Sequence, residues 1–146
     1  MRQYLLCRWH DEAFALPTDE VLELLRMVAV TRLPSEAGRI DGLINYRGEM
    51  IPVLDSSRLF QRPAIAYDTD SLLAVIRHEG QAMAVAAHEL IELRDAGEDQ
   101  IKIYDSSGQE PFHAALKLDD RLYPILNLGR LQQDAHTSLQ QLAQTI

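Results

Sequence analysis

The sequence predicts a mainly β protein, with two similar β-rich lobes that carry short helical turns and a C-terminal helix. Residues 4–25 resemble residues 73–94 at an offset of 69, and residues 51–59 resemble residues 123–131 at an offset of 72. In both copies, short apolar segments alternate with polar turns. Many short strands separated by such turns favour small barrels over an α/β sheet.

Composition and charge restrict the possible partners and the compartment. The 146 residues fit one domain, or two small lobes that share a core. Fourteen basic and 22 acidic residues give a formal charge of −8, which disfavours nucleic acids and anionic membrane surfaces. A single cysteine, Cys7, excludes an intramolecular disulfide, and no apolar run is long enough to span a bilayer. We therefore expect a cytoplasmic protein.

The first copy opens with a strand, a turn and a second strand. In the first strand, Leu5, Cys7 and Trp9 alternate with Leu6 and Arg8, which is the period expected for a strand with one buried face. Residues 10–12 form the first predicted turn, and residues 79–81 are their counterpart in the second copy. A third strand follows in each copy.

Two features of the first copy are candidates for a protein interface. The predicted strand at residues 21–25 is apolar on both faces, so that one face is free to pack against the other lobe or a partner. Arg47 occupies a hairpin turn between two apolar strands, beside Gly48, which accepts a positive φ. Arg47 is either a solvated turn residue or a multi-donor anchor for a partner protein.

The second repeated motif, at residues 51–59 and 123–131, follows a hairpin turn in each copy and ends at the start of a helix. The turn 47–48 corresponds to the turn 119–120, and each is followed by a strand that contains a proline. Asp55 and Asn127 stand where those strands give way to helical turns, which is the position favoured for an N-cap. The lobe-forming repeats therefore cover roughly residues 1–60 and 72–131.

The remaining segments are a connector, an acidic stretch and the terminal helix. Residues 61–71 have no clear periodicity, and the acidic stretch 95–111 is predicted to be irregular. The predicted terminal helix, residues 130–146, has apolar residues at helical spacing, namely Leu131, Ala135, Leu139, Leu142 and Ile146. This apolar face packs either on the protein's own body or on a partner.

The sequence contains no catalytic, nucleotide or multidentate metal motif, so we expect no enzyme and no cofactor. His78 and His88 could approach each other as a metal pair, although a zinc site usually needs three or four ligands. Ser56 and Ser57 beside Asp55 are explained by a capped helical turn without nucleophilic chemistry. Cys7 is predicted to be a small core residue.

Residues 40–55 read Ile-Asp-Gly-Leu-Ile-Asn-Tyr-Arg-Gly-Glu-Met-Ile-Pro-Val-Leu-Asp. This segment resembles the motif of the chemotaxis coupling family, the CheW-like proteins, and the resemblance extends over essentially the whole chain. It implies a single CheW-like domain, residues 1–146, made of two intertwined five-stranded SH3-like β-barrel lobes.

The resemblance also implies a non-enzymatic adaptor. Such proteins couple chemoreceptor cytoplasmic tips to the regulatory domain of a CheA-type histidine kinase, being monomers on their own and parts of larger membrane-associated arrays. In the family the receptor tip lies in a hydrophobic groove between the lobes, at positions that match Val21, Glu23 and Arg47. Kinase contacts come from the barrel ends, and they transfer to the neighbourhoods of Ile44 and Leu54.

The chain departs from the family pattern at several positions. Ser56 follows Asp55, Tyr46 replaces a usual leucine, and residues 87–89 read Ala-His-Glu where the family commonly has Asp-Gly-Val. These changes suggest a divergent paralogue from a gliding, pilus or other non-flagellar pathway. One alternative function is a scaffold that pairs with other CheW-like domains without binding receptors. A remote alternative is a small metal-dependent enzyme that uses His78, His88 and the acidic stretch.

Overall fold

The computed structural model describes residues 1–32, 40–63, 65–108 and 110–145. Over these residues the chain forms twelve strands, which are β1 (Arg2–Trp9), β2 (Glu12–Pro17), β3 (Val21–Arg26), β4 (Thr31–Arg32), β5 (Ile40–Tyr46), β6 (Glu49–Leu54), β7 (Leu72–His78), β8 (Gln81–Ala87), β9 (Glu89–Ala96), β10 (Ile101–Ile103), β11 (Phe112–Leu118) and β12 (Arg121–Leu126). Helix α1 spans Ser56–Leu59 and helix α2 spans Leu128–Thr145. The prediction of a mainly β protein with a C-terminal helix is confirmed.

The strands form two sheets whose orders correspond. Sheet A has the order β10-β11-β12-β2-β1-β9, and sheet B has the order β4-β5-β6-β8-β7-β3. Each position in one sheet is filled by the repeat counterpart of the strand at the same position in the other. Five strands in each sheet have six or more residues, and the short edge strands β10 and β4 are added to them.

The two halves of the chain exchange their first hairpins. Hairpin β1–β2 lies in sheet A with strands of the second half, and hairpin β7–β8 lies in sheet B with strands of the first half. Strand β9 pairs along β1 and strand β3 pairs along β7, both antiparallel. The hairpins meet the rest of their sheets through short parallel contacts, β2 with β12 and β6 with β8. The lobes are therefore intertwined, as expected.

One large hydrophobic cluster joins both sheets. It includes Phe14 from sheet A together with Ile44, Leu54 and Met83 from sheet B, all of them almost fully buried. A smaller cluster fills sheet A alone, around Leu116. Burial of this much apolar surface is the main driving force for folding.

Helix α2 packs on the protein's own body. Leu128 and Leu131 belong to the large cluster, and Ala135 and Ser138 are also buried. The side-chain amide of Gln132 donates a hydrogen bond to a backbone carbonyl of β7 over 3.0 Å. The side chains of Leu142 and Ile146, which were predicted to lie on the same face, are outside the described part of the chain.

The predicted N-caps are present at both helices. The Asp55 carboxylate accepts hydrogen bonds from the backbone N–H groups of Ser57 and Arg58 over 3.0 and 3.3 Å. The Asn127 side-chain oxygen accepts one from the Arg130 backbone N–H over 3.2 Å. These bonds satisfy N–H groups that have no partner within the first turn of a helix.

The acidic stretch is more ordered than its sequence predicts. Strand β9 continues to Ala96, a 3₁₀ turn follows at Glu98–Gln100, and β10 pairs with β11. The prediction of an irregular segment over residues 95–111 is therefore wrong for residues 95–103. The acidic residues of this stretch are typical of a loop, and the sequence does not indicate the pairing of β10 with β11. Among the described residues, no helix is long and apolar enough to cross a membrane.

Candidate protein-interaction surfaces

A shallow apolar groove lies between the edge strands β3 and β9. Its cavity has a volume of about 440 Å³, and Leu5 of β1 contributes to its lining. Val21 and Leu24 line it from β3, and their repeat counterparts Leu90 and Leu93 line it from β9. The two walls are therefore equivalent parts of the two halves of the chain.

The groove carries large apolar side chains that the protein itself does not cover. Leu24 and Leu93 are exposed, as is Leu22 on the same strand as Leu24. Scattered exposed leucines are normal, but three of them on two neighbouring sheet edges beside a groove form a patch. Such patches are typical of protein-interaction sites.

Glu23 and Arg47 form an ion pair on the β3 side of the groove. The β5–β6 turn places the Arg47 guanidinium 2.8 Å from the Glu23 carboxylate and 5.5 Å from the ring centre of Tyr46. The Tyr46 hydroxyl donates to the same carboxylate over 3.4 Å. The hydrogen bond from Arg47 to Glu23 raises the pKa of Arg47, so the exposed guanidinium stays charged. Val21 lines the groove, and Glu23 and Arg47 lie beside it.

A different charge arrangement occupies the equivalent place on the β9 side. Glu92 is the counterpart of Glu23, and Asp119 is the counterpart of Arg47. Arg94 of β9 contacts both carboxylates, at 3.2 Å from Glu92 and 3.0 Å from Asp119. The pKa of Arg94 is raised, and the hydrogen bond with Asp119 is the largest cause. Sequence reasoning missed this set, although the offsets of 69 and 72 could have identified it.

Ile44 and Leu54 lie in the core and not on the surface. Their exposed fractions are 1% and 0%, so neither side chain can touch a partner protein. The alternation along β5 already indicates this, because Ile44 shares its face with Ile40 and Tyr46, which are also buried. Met50, which pairs with Asn45 next to Ile44 in the hairpin, is exposed.

The candidate metal and nucleophilic residues have structural partners. The His78 imidazole lies 2.9 Å from the Glu20 carboxylate, whereas His88 stacks on His10. Ser56 donates to a backbone carbonyl of β8 over 2.6 Å, and Ser57 accepts from the Trp9 indole over 2.9 Å. Within the described ranges, no group of three or more His, Cys, Asp or Glu residues could hold a metal ion.

Cys7 is a core residue, as its alternation indicates. It is completely buried in the large cluster. Burial raises the pKa of its thiol to about 12, because a thiolate loses its hydration there. The thiol therefore stays protonated and shielded from solvent at neutral pH.

Comparison with known proteins decides the family. The model of the CheW-like domain matches residues 3–136, which is nearly the whole chain. The chain belongs to the CheW-like family. The CheW family consists of coupling and scaffold proteins of chemotaxis signalling.

Relatives and a solved structure agree with this assignment. The chain is 26% identical over 124 residues to chemotaxis protein CheW of Helicobacter pylori, an alignment that covers 83% of the chain and 75% of that protein. It is 28% identical over 129 residues to chemotaxis protein CheA of Listeria innocua, covering 86% of the chain and 20% of that protein.

The crystal structure of scaffolding protein TtCheW from Thermoanaerobacter tengcongensis shares the fold. Its TM-score to this chain is 0.73 at 23% sequence identity, and the alignment covers 86% of this chain and 83% of that one. The intertwined sheets are therefore the CheW fold.

Proposed function

We propose that the protein is a non-enzymatic adaptor that couples chemoreceptor cytoplasmic tips to the regulatory domain of a CheA-type histidine kinase. The groove between β3 and β9 is the observation that carries this proposal. It is apolar, it is open along its length, and it is formed by both halves of the chain. The adaptor acts in the cytoplasm and is recruited through the receptor to membrane-associated arrays.

The shape and chemistry of the groove favour a helical occupant. An amphipathic helix presents apolar residues along one face, and an apolar groove with exposed leucines on both walls is the complement of such a face. Arg47 and Glu23 on one side provide a paired cation and anion. They add directional hydrogen bonds to contacts that are otherwise non-directional.

The kinase domain would bind the outer face of the β5–β6 hairpin. Ile44 and Leu54 hold this hairpin in the core, so its partner-facing residue is Met50, which is exposed on β6. A charge at Met50 would disturb a contact with the kinase domain while leaving the core below it unchanged.

A charge in the groove tests receptor binding. We expect Leu93→Glu to weaken binding of a receptor-tip fragment at least tenfold, because a buried carboxylate without a partner is strongly unfavourable in an interface. The matched control is Leu122→Glu, since Leu93 and Leu122 are 56% and 62% exposed and Leu122 does not line the groove. Calorimetric titration measures both. Equal loss of affinity in the two variants, or no loss in either, would contradict a receptor site in the groove.

The second candidate function is a scaffold that pairs with other CheW-like domains and does not bind receptors. The similarity of this chain to a fifth of a CheA protein favours it, because that part of CheA could pair with a domain of the same fold. Binding to the kinase regulatory domain without any binding to receptor tips would favour this scaffold over the adaptor.

A further inference from the structure

Two histidines that are far apart in sequence stack on each other at the crossing between the two sheets. His10 lies in the β1–β2 turn, and His88 lies between β8 of sheet B and β9 of sheet A. Their ring centres are 4.7 Å apart and their planes differ by 22°. The backbone N–H of His10 donates a hydrogen bond to Nδ1 of His88 over 2.7 Å. This bond requires that Nδ1 carries no proton, which assigns the neutral His88 its proton on Nε2.

The stack is tied to the rest of the protein on both sides. The backbone N–H of His88 donates to the carbonyl of Arg8 over 2.9 Å. Trp9 contacts both imidazoles, with ring-centre distances of 4.7 Å to His10 and 6.4 Å to His88. Its indole N–H donates to Ser57 of α1. The β1–β2 turn, the β8–β9 crossing and α1 therefore meet at this point.

The charged groups around the stack are already engaged with one another. Glu89, next to His88, lies 3.3 Å from the Arg8 guanidinium. On the other side, Glu12 of β2 pairs over 2.9 Å with Arg62, which follows α1. Two further titratable groups lie near the stack in the described part of the chain, namely Asp11, which is exposed in the same turn as His10, and Tyr67, whose ring packs on Trp9 at 5.6 Å.

We propose that the His10–His88 stack is a proton-sensitive contact that holds the β1–β2 turn against the β8–β9 crossing. A proton on Nδ1 of His88 turns the acceptor into a donor that faces the donor N–H of His10, so the hydrogen bond is lost. A second proton on His10 would place two positive rings 4.7 Å apart. Acidification therefore loosens the turn, and it also alters the cavity of about 300 Å³ lined by Trp9 and His10.

This contact is a feature of the chain beyond its proposed coupling function. Residues 87–89 depart from the Asp-Gly-Val that the resemblance leads one to expect, and His88 is the middle residue of that departure. An imidazole changes its charge when it takes up a proton, and a proton on Nδ1 is incompatible with the hydrogen bond that His88 accepts from His10.

Tryptophan fluorescence reports the protonation, because Trp9 is the only tryptophan and touches both rings. We expect the emission of the full chain to change between about pH 8 and about pH 5. His88→Asn retains a side-chain acceptor that does not titrate, and it should reduce or shift this transition. His136→Asn, an exposed residue of α2, is the matched control and should leave the transition unchanged. An emission that is constant over this range in the unmodified protein would overturn the proposal.

Amide hydrogen exchange reports the loosening itself. After correction for the intrinsic rate, protection of the His10 amide should fall by roughly tenfold from about pH 8 to about pH 5 in the unmodified protein, the size expected for a lost hydrogen bond. Protection in His88→Asn should stay constant. The same fall in both proteins would overturn the assignment to His88.

A third measurement needs no variant. The ¹⁵N shifts of the His88 ring at neutral pH should show a proton on Nε2 and none on Nδ1. A proton on Nδ1 would contradict the hydrogen bond on which the proposal rests.

Discussion

Arg47 is held in a backbone conformation that residues with a side chain rarely adopt. Its φ is 50°, and that of Gly48 is 84°, which is the geometry of a tight two-residue hairpin turn. A glycine would fit position 47 with less strain. What arginine adds is its side chain, which lies over Tyr46 and pairs with Glu23 beside the groove. The equivalent turn residues His10, Glu79 and Asp119 have the same geometry, with φ between 49° and 54°, so this conformation belongs to the turn. Because an exposed ion pair adds little to stability, we expect the Arg47 side chain to contribute to binding.

Substitutions at Arg47 separate the two contributions. Arg47→Ala and Arg47→Gly should each weaken binding of a receptor-tip fragment by about tenfold, as expected for an arginine anchor. Arg47→Gly should not lower Tm, because glycine accepts the positive φ. Calorimetric titration and thermal unfolding measure the two effects. A large loss of Tm in Arg47→Gly with unchanged binding would make Arg47 a structural residue.

At the residue scale, the sequence predicts the role of a residue when that role depends on residues close to it in the chain. The N-caps Asp55 and Asn127 follow from the change between strand and helix, and the burial of Cys7 follows from alternation. The stack of His10 on His88 joins residues from the two halves of the chain, and neither local pattern nor spacing contains that contact. Ile44 and Leu54 are themselves buried, so the kinase contacts transferred to their neighbourhoods remain a prediction about the exposed residues beside them.

Strands β4 and β5 approach each other unusually closely at Gly42. A Cβ atom there would lie 2.4 Å from the backbone oxygen of Thr31 and 2.7 Å from a methyl carbon of Val30. A backbone atom at this distance cannot move aside without displacing β4. The glycine at position 42 is therefore required for the pairing of β4 with β5.

Gly42→Ala should destabilise the protein by roughly 1–3 kcal/mol, the usual effect of forcing an extra carbon into a packed site. The same substitution at Gly129 should have the opposite sign. Gly129 lies in the first turn of α2 and its nearest contact would be 3.5 Å away, so alanine there should stabilise the helix by up to about 1 kcal/mol. Denaturant unfolding measures both. Equal effects of the two substitutions would show that packing at Gly42 does not matter.

At the element scale, alternation and turn residues predict the hairpins, but they do not predict which strands pair beside each hairpin. The sequence indicates β1–β2, β5–β6, β7–β8 and β11–β12 as consecutive strands joined by tight turns. The pairing of β9 with β1, and of β3 with β7, depends on the exchange between halves. Alternation shows which face of a strand is buried, whereas it does not identify the strand that lies beside it.

At the scale of the whole molecule, the exchanged hairpins connect the folding of the two sheets to the groove. Neither sheet is complete without strands from the other half of the chain, and the large cluster contains residues from both. The groove walls β3 and β9 are the third strands of the two repeats and lie at the edges of the two sheets. A partner in the groove would therefore contact both halves at once.

Charge differs between the halves, although their backbones correspond. Arg47 stands at one hairpin turn, where the equivalent turn carries Asp119 and Asp120. Arg47 pairs with one carboxylate, that of Glu23, whereas Arg94 on the β9 side pairs with two, those of Glu92 and Asp119. A charged partner in the groove would therefore meet different charges at its two walls.

The most direct test of the adaptor is a calorimetric titration of the full chain with two partners from the same genome. These are the regulatory domain of each CheA-type kinase and a receptor-tip fragment. The adaptor function predicts saturable binding to one kinase domain, and binding of the receptor fragment to the preformed complex. It further predicts that Met50→Glu weakens the kinase step alone. A folded sample that binds no kinase domain would contradict the adaptor function, since the CheW fold would then have been kept without the coupling function.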